Sequence, residues 1–273
     1  MRLLMLILSF PILLSAQSFD VGIGVGGALY NGDLSVASAQ YVQQNTHPAI
    51  YLNAAYHLND FLSFRTGFLA SSLSADDALS SEQWQLNRNL NFTTSIYELS
   101  AQLEVNLWTF FDNRPMRGMP YAYMGGSVFS FNPKANYNGQ LVPLQPLGTE
   151  GQGMPGYDDK YDLRAFTVLF GFGYKYDLGN GFVISTSFGW RRASTDYLDD
   201  VSKNYVSNDE LYNASGLMAS NLGNKIGAET GSQRGGSFSN DWYNVGIVSV
   251  NYVIGNKRRG LSRAKQVGCP TKF

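Results

Sequence analysis

Between Ile96 and Thr109 the chain alternates without a break: Tyr97, Leu99, Ala101, Leu103, Val105 and Leu107 share one parity, and Glu98, Ser100, Gln102, Glu104 and Asn106 share the other. A period of two belongs to an extended strand with one greasy and one polar face. The same pattern places Ile50, Leu52, Ala54, Tyr56 and Leu58 opposite Tyr51, Asn53 and His57. It places Phe64, Thr66, Phe68 and Ala70 opposite Ser63, Arg65 and Gly67. Phe166, Val168, Phe170, Phe172, Tyr174 and Tyr176 stand opposite Thr167, Gly171, Gly173 and Lys175. Phe182, Ile184, Thr186, Phe188 and Trp190 stand opposite Ser185, Ser187, Gly189 and Arg191. Ser18 to Tyr30, Gly118 to Asn132 and Asp241 to Ile254 carry a weaker form of the pattern and bring the expected strands to eight.

The connections alternate in length. Asn59-Asp60, Asp112 to Arg117 and Asp177 to Gly181 are short, whereas Asn31 to Thr46, Ser74 to Asn91, Pro133 to Leu163 and Ser194 to Asn240 are long. That alternation predicts an all-β fold, an eight-stranded antiparallel transmembrane outer-membrane β-barrel with long extracellular loops, short periplasmic turns and periplasmic termini. The aromatics agree with one topology. Tyr56, Phe64, Trp108, Tyr176, Phe182 and Tyr252 fall at the periplasmic strand ends, and Tyr97, Phe166, Trp190 and Trp242 at the outer ends, as two interfacial belts require. A soluble sandwich or lipocalin-like barrel would also alternate, but with more Lys and Glu on its wet face and shorter loops.

Composition narrows the classes further. Charged residues are 15% of the chain, against roughly a quarter in ordinary globular proteins. Mean hydropathy is -0.17, and beyond the N-terminus no run approaches the roughly 18 apolar residues of a membrane helix. A net charge of -1 supplies no basic field for nucleic acid. Met1-Arg2, the apolar run Leu3 to Leu14 and Ser15-Ala16-Gln17 have the layout of a secretory signal peptide. The expected organisation is thus a signal peptide over 1–16, a barrel over 17–255 and a basic periplasmic tail over 256–273.

Eight strands leave an interior that side chains fill, so no solute channel is expected. Arg65, Glu98, Gln102, Glu104, Lys175 and Arg191, with Asn251, form the expected lumen set, a mixed-sign group suited to internal ion pairs. Other candidate chemistry is weak, and no catalytic, cofactor or metal residue is expected. The glycines from Gly22 to Gly27 match a dinucleotide string, yet neither strand context nor a following helix supports it. His47 and His57 lie toward opposite ends of one strand, too far apart to share a metal. An outer-rim lipid hydrolase would have to use His47, with no serine singled out by spacing. Asp196, Asp199 and Asp200 put three carboxylates in five residues; without an EF-hand layout they read as turn and capping groups. Asp158, Asp159 and Asp162 read the same way.

Past the last strand, Lys257, Arg258, Arg259, Arg263, Lys265 and Lys272 are cations with no anion among them before Phe273. Such a tail suits a surface facing anionic lipid, peptidoglycan or an acidic partner. Cys269, the only cysteine, has no partner in its own chain. In an oxidising compartment it is either an inert thiol or half of an intermolecular disulfide; the exposed tail and Pro270 favour the disulfide.

The strings Asn31-Gly32-Asp33-Leu34, Thr195 to Ser202, Arg234-Gly235, Asn240-Asp241-Trp242-Tyr243 and Cys269-Pro270 with Phe273 resemble the PorG family, a DUF6089-like family of outer-membrane barrels in the Bacteroidetes type IX secretion system. The resemblance covers essentially the whole mature chain. It implies a non-enzymatic barrel set in outer-membrane lipid and associated with the periplasmic ring of the lipoprotein PorK and of PorN, named GldK and GldN in gliding bacteria. It also implies that the basic tail with Cys269 fastens barrel to ring. The alternatives are a small adhesin or ligand-binding barrel acting through its third and fourth long loops, and the hydrolase centred on His47.

Overall fold

The structure is a computed structural model that describes residues 18–110, 117–236 and 240–255. The expected signal peptide, most of the turn from Asp112 to Arg117, and the tail with Lys257, Arg258, Arg259, Arg263, Lys265 and Cys269 lie outside the described residues. Eight long strands form the wall: β1 (Ser18–Asn31), β2 (His47–His57), β3 (Leu62–Asp76), β4 (Asn91–Asn106), β5 (Gly118–Ser130), β8 (Arg164–Gly179), β9 (Phe182–Ala193) and β10 (Trp242–Gly255). Each pairs antiparallel with its neighbours in sequence, and β1 with β10 closes the ring. Closure removes the unpaired edges that an open sheet would expose to lipid.

The short hairpin of β6 (Lys134–Tyr137) and β7 (Gln140–Pro143) belongs to the third long connection and hangs on β4 through Thr93 and Lys134. Helices α1 (Ala39–Asn45), α2 (Gln83–Arg88) and α3 (Asn208–Gly223) sit in the first, second and fourth. All of these stand at one end of the barrel, here the loop end; the other is the turn end.

Burial follows the alternation residue by residue. Along β8, Phe166, Val168, Phe170, Phe172, Tyr174 and Tyr176 are exposed while Thr167, Leu169 and Lys175 are buried. The exterior is thus an apolar girdle, with Ile23 at 58% exposure, Val25 at 64%, Met124 at 65% and Phe166 at 67%. A surface this continuously greasy is stable only against hydrocarbon, and the fold is that of a transmembrane barrel.

Three local readings change. The strand expected to run to Thr109 ends at Asn106 and turns into a short 3-10 helix over Leu107–Phe110, where the Asn106 side-chain oxygen accepts from the Trp108 amide. β3 and β4 extend toward the loop end, pairing up to Asp76 and Asn91, and shorten the second long connection. Their extra turns pack Leu73, Ala75, Phe92 and Ile96 inward. The third and fourth connections are not open loops but carry the hairpin and α3.

The interior has two zones. At the loop end, Tyr30, Leu69, Leu73, Phe92, Ile96, Phe129, Phe131 and Tyr243 form an apolar core with Leu198 and Val201, which the fourth connection contributes. Below it the lumen is polar. Arg65 is the hub: its Nε donates to Glu104 Oε1 at 2.6 Å and its Nη1 to Asp20 Oδ1 at 3.3 Å and to Asn53. Lys175 donates to Glu104 Oε2 at 2.5 Å. His57 bridges Asp20 at 2.8 Å and Ser63 at 2.7 Å. Nearer the loop end, Arg191 Nε donates to Glu98 Oε2 at 2.9 Å, and the Tyr243 hydroxyl donates to the same oxygen at 2.5 Å. Each charge that burial makes costly thereby meets an opposite one. Gln102 is buried beside them, in a residual void of only about 20 Å³ among Tyr51, Arg65, Glu104, Tyr121 and Arg191.

Candidate functional site

With the lumen filled, the groups free to act lie at the two ends, and at the loop end the structure describes every residue but 237–239. There the fourth connection dips into the barrel mouth and is held by side chains from strands that are distant in sequence. The Tyr30 hydroxyl, at the end of β1, lies 2.7 Å from Asp199 Oδ2 and 2.8 Å from Asp241 Oδ1. The other oxygens of those carboxylates cap the dip: Asp199 Oδ1 accepts from the Val201 amide and Asp241 Oδ2 from the Leu198 amide, both at 2.9 Å. Capping of this kind fixes the turn that drives Leu198 and Val201 into the apolar core.

A phenol carries one hydrogen and cannot donate to two carboxylates at once. One of the two carboxyls must therefore carry a proton and donate it back. Burial raises both Asp199 and Asp241 well above the ordinary carboxylate range, and their mutual repulsion adds to it for Asp199. The geometry thus gives the pair one proton to share with the Tyr30 hydroxyl.

A second network ties the third connection to the fourth. Arg234 Nη1 donates to Glu150 Oε1 at 2.9 Å and to the Asp200 carbonyl at 2.7 Å. Glu150 Oε1 accepts from the Ser202 amide at 3.0 Å. Asp200 receives Thr149 Oγ1 at 2.5 Å and the Tyr161 hydroxyl at 2.6 Å. Burial pushes Asp200 up to about 6, against the pull of Arg234, and pushes the half-buried Asp196, bonded to Ser202, to about 7. A third network joins the first and second connections: Arg88 is held by Asp77 through two bonds of 2.8 Å and donates to the carbonyls of Asp33 and Arg234. Asp33 in turn accepts from the Gly236 amide at 2.6 Å.

Thus the strings from Asn31 to Leu34, from Thr195 to Ser202, Arg234-Gly235 and Asn240 to Tyr243, scattered along the chain, converge on one buried polar crown. The aspartates read as turn groups do cap turns, but they also bond Tyr30, Thr149 and Tyr161, which no local pattern announced. Tyr30, Glu150 and Arg88 are the residues sequence reasoning missed. Their signal was faint: an aromatic at inward parity at a strand end, and lone charges in polar loops.

Other candidates are placed plainly. Among the described residues no group of three or more His, Cys, Asp and Glu is arranged to hold a metal ion. Gly22 to Gly27 lie within β1, paired on both sides, where no phosphate cradle forms. His47 Nε2 does meet a serine, Ser74 Oγ, at 2.6 Å. That hydroxyl donates to Asn45 Oδ1 at 2.8 Å, and Asn45 is oriented by its own bond to the Tyr41 carbonyl. The serine proton therefore points away from the imidazole, which donates to Ser74 rather than serving it as a base.

Between the second and fourth connections lies a pocket of about 400 Å³, with Trp84, Tyr205, Ile226 and Arg234 among its walls.

A family model described as a domain of unknown function, DUF6089, matches residues 1–259. No curated protein matches the sequence. Solved structures similar to this chain include Ail, the attachment invasion locus protein of Yersinia pestis, at 10% identity and a TM-score of 0.43, over 88% of this chain and 100% of that one. OprG from Pseudomonas aeruginosa is similar at 9% identity and a TM-score of 0.45, over 88% and 97%. Neisserial surface protein A is similar at 8% identity and a TM-score of 0.39, over 87% and 97%. These likenesses are of fold alone.

Proposed function

The chain belongs to the DUF6089 family, and we propose that it is a non-enzymatic, non-conducting outer-membrane barrel that anchors a periplasmic assembly, the PorK/PorN (GldK/GldN) ring of a type IX protein secretion system. One observation carries the reading: the interior is occupied from Asp20 and His57, through Arg65 and Glu104, to Glu98 and Arg191, and is closed above by Leu198 and Val201. A barrel so filled moves no solute, and its strands are committed to lipid, so its work falls to its ends.

At the turn end that work belongs to the tail. Lys257, Arg258, Arg259, Arg263 and Lys265 supply attraction to an acidic surface, and Cys269 supplies the means of a single covalent bond. A disulfide from so short a segment would outlast the noncovalent contact available to it. The resemblance to the PorG family in the crown strings and the Cys269-Pro270 ending names the partner.

The test is purification of the tagged barrel from its native outer membrane, followed by non-reducing electrophoresis. The ring lipoprotein is expected to accompany it, with a reductant-sensitive band of higher mass that disappears in Cys269→Ser. A barrel recovered alone would overturn the anchoring role. A monomer band indifferent to Cys269→Ser would remove the covalent link.

A further inference from the structure

The anchoring role makes no use of the 400 Å³ pocket between the second and fourth connections. Trp84 stands at its edge, 57% exposed. The Arg88 guanidinium lies 4.9 Å from the centre of its ring. Because Asp77 pins Arg88, that contact steadies the indole and covers part of one face, leaving aromatic surface open. Tyr205 is only 5% exposed and lines the same pocket. Arg234, 3% exposed, lines it too and leaves its Nε unpaired. A polar atom this buried is seldom left unmet in a finished site.

The charges tell which ligand fits. Arg88 is neutralised by Asp77, and Arg234 by Glu150 with Asp200 nearby, while Asp33 adds a carboxylate at the rim. No surplus positive charge is left for an anion. What the pocket offers is a fixed aromatic plate beside donors and acceptors held on buried, planar side chains. A pyranose ring is complementary to that: one face of C–H groups for the indole, and an edge of hydroxyls that both donate and accept. The volume lies within the range of small-molecule sites.

We propose that the pocket walled by Trp84, Tyr205 and Arg234 binds one uncharged pyranose unit of a glycan. The sugar stacks on Trp84 and pairs its hydroxyls with Tyr205 and Asp33. The outer-membrane reading bears only on the source, which is either lipopolysaccharide core of the same leaflet or free polysaccharide outside it.

The test uses the whole barrel in lauryldimethylamine oxide, a detergent without a sugar head. The probes are core oligosaccharide released from lipopolysaccharide by mild acid, and dextran fragments, each followed by isothermal titration. Saturable binding is expected, weakened about tenfold or more in Trp84→Ala, where a stacking contact is lost, and several-fold in Tyr205→Phe. A heat-modifiable band on electrophoresis checks that each variant keeps its barrel. Binding of the core alone identifies the leaflet as the source, and binding of dextran alone identifies free polysaccharide. Failure of both probes to bind the folded barrel, or binding by Trp84→Ala equal to the parent, overturns the proposal. Co-purification with a periplasmic ring is read separately, so either result can fail without the other.

Discussion

The Tyr30 hydroxyl sits 2.7 Å from Asp199 Oδ2, joining the end of the first strand to a loop 169 residues further along. Asp241 lies on the other side of that hydroxyl, so the trio needs a second proton, and the crown should answer to pH. Carboxyls whose folded pKa is raised keep protons that the unfolded chain releases, so the fold loses stability as pH climbs through the gap. The gap opens near the ordinary carboxylate value of about 4. It extends to about 6 for Asp200 and about 7 for Asp196, and the Asp199 and Asp241 pair is raised in the same direction. Hydrogen exchange of amides 198–202, corrected for the intrinsic pH effect, is expected to show stronger protection at pH 5 than at pH 8. Asp199→Asn should flatten that slope, and a slope of the opposite sign would refute the shared proton.

The lumen pairs are not equivalent. Among the described residues Arg191 is the only cation bonded to Glu98, whereas Glu104 is bonded to both Arg65 and Lys175. Arg191→Met leaves a buried carboxylate with only Tyr243, and should cost about 3 to 5 kcal/mol. Lys175→Met should cost clearly less, because Arg65 stays. Urea unfolding in detergent, read by the heat-modifiable band, compares the two; equal losses would argue against the hub described here.

Tyr123 lies across two strands at once. It pairs with Gly171, which pairs with Gly189, and a Cβ at Gly189 would stand 2.1 Å from the Tyr123 hydroxyl oxygen and 3.0 Å from the Phe170 carbonyl oxygen. Gly189→Ala is expected to destabilise the barrel by about 1 to 3 kcal/mol through overpacking. Adding Tyr123→Phe should recover part of the loss, and no recovery would mean that the strand backbone alone sets the constraint.

Arg234 should matter locally. Replacing it with Ala takes from Glu150 its ion-pair partner and loosens the tie of the third connection to the fourth, which Thr149, Tyr161 and Ser202 then hold alone, yet touches no lumen pair. Proteinase K is expected to cut the loops of Arg234→Ala faster than those of the parent while the eight-stranded core survives. Loss of the heat-modifiable band would contradict that separation.

What alternation could reveal, it did: the parity of Glu98, Gln102 and Glu104 against Leu99 and Leu103 told inside from outside before any fold was known, because lipid forces one face to be uniformly apolar. The crown was harder to read. Asp199 and Asp241 meet only once the ring has closed, and nothing local to either marks the other as a partner. Leu198 and Val201 sit in an irregular segment with no period to reveal which way they point. Ile96 and Leu69, apolar at inward parity near the loop end, were the available sign that something greasy must descend to meet them.

Because the plug is gripped by both the first strand and the last, it cannot seat until those two have found each other. Contacts of such long range form late. A chain stalled before its final strand docks would wear its loops loose, open to any protease on that side of the membrane. An intact crown thus marks a finished ring, and its resistance to cleavage can be read from the loop side without entering the membrane.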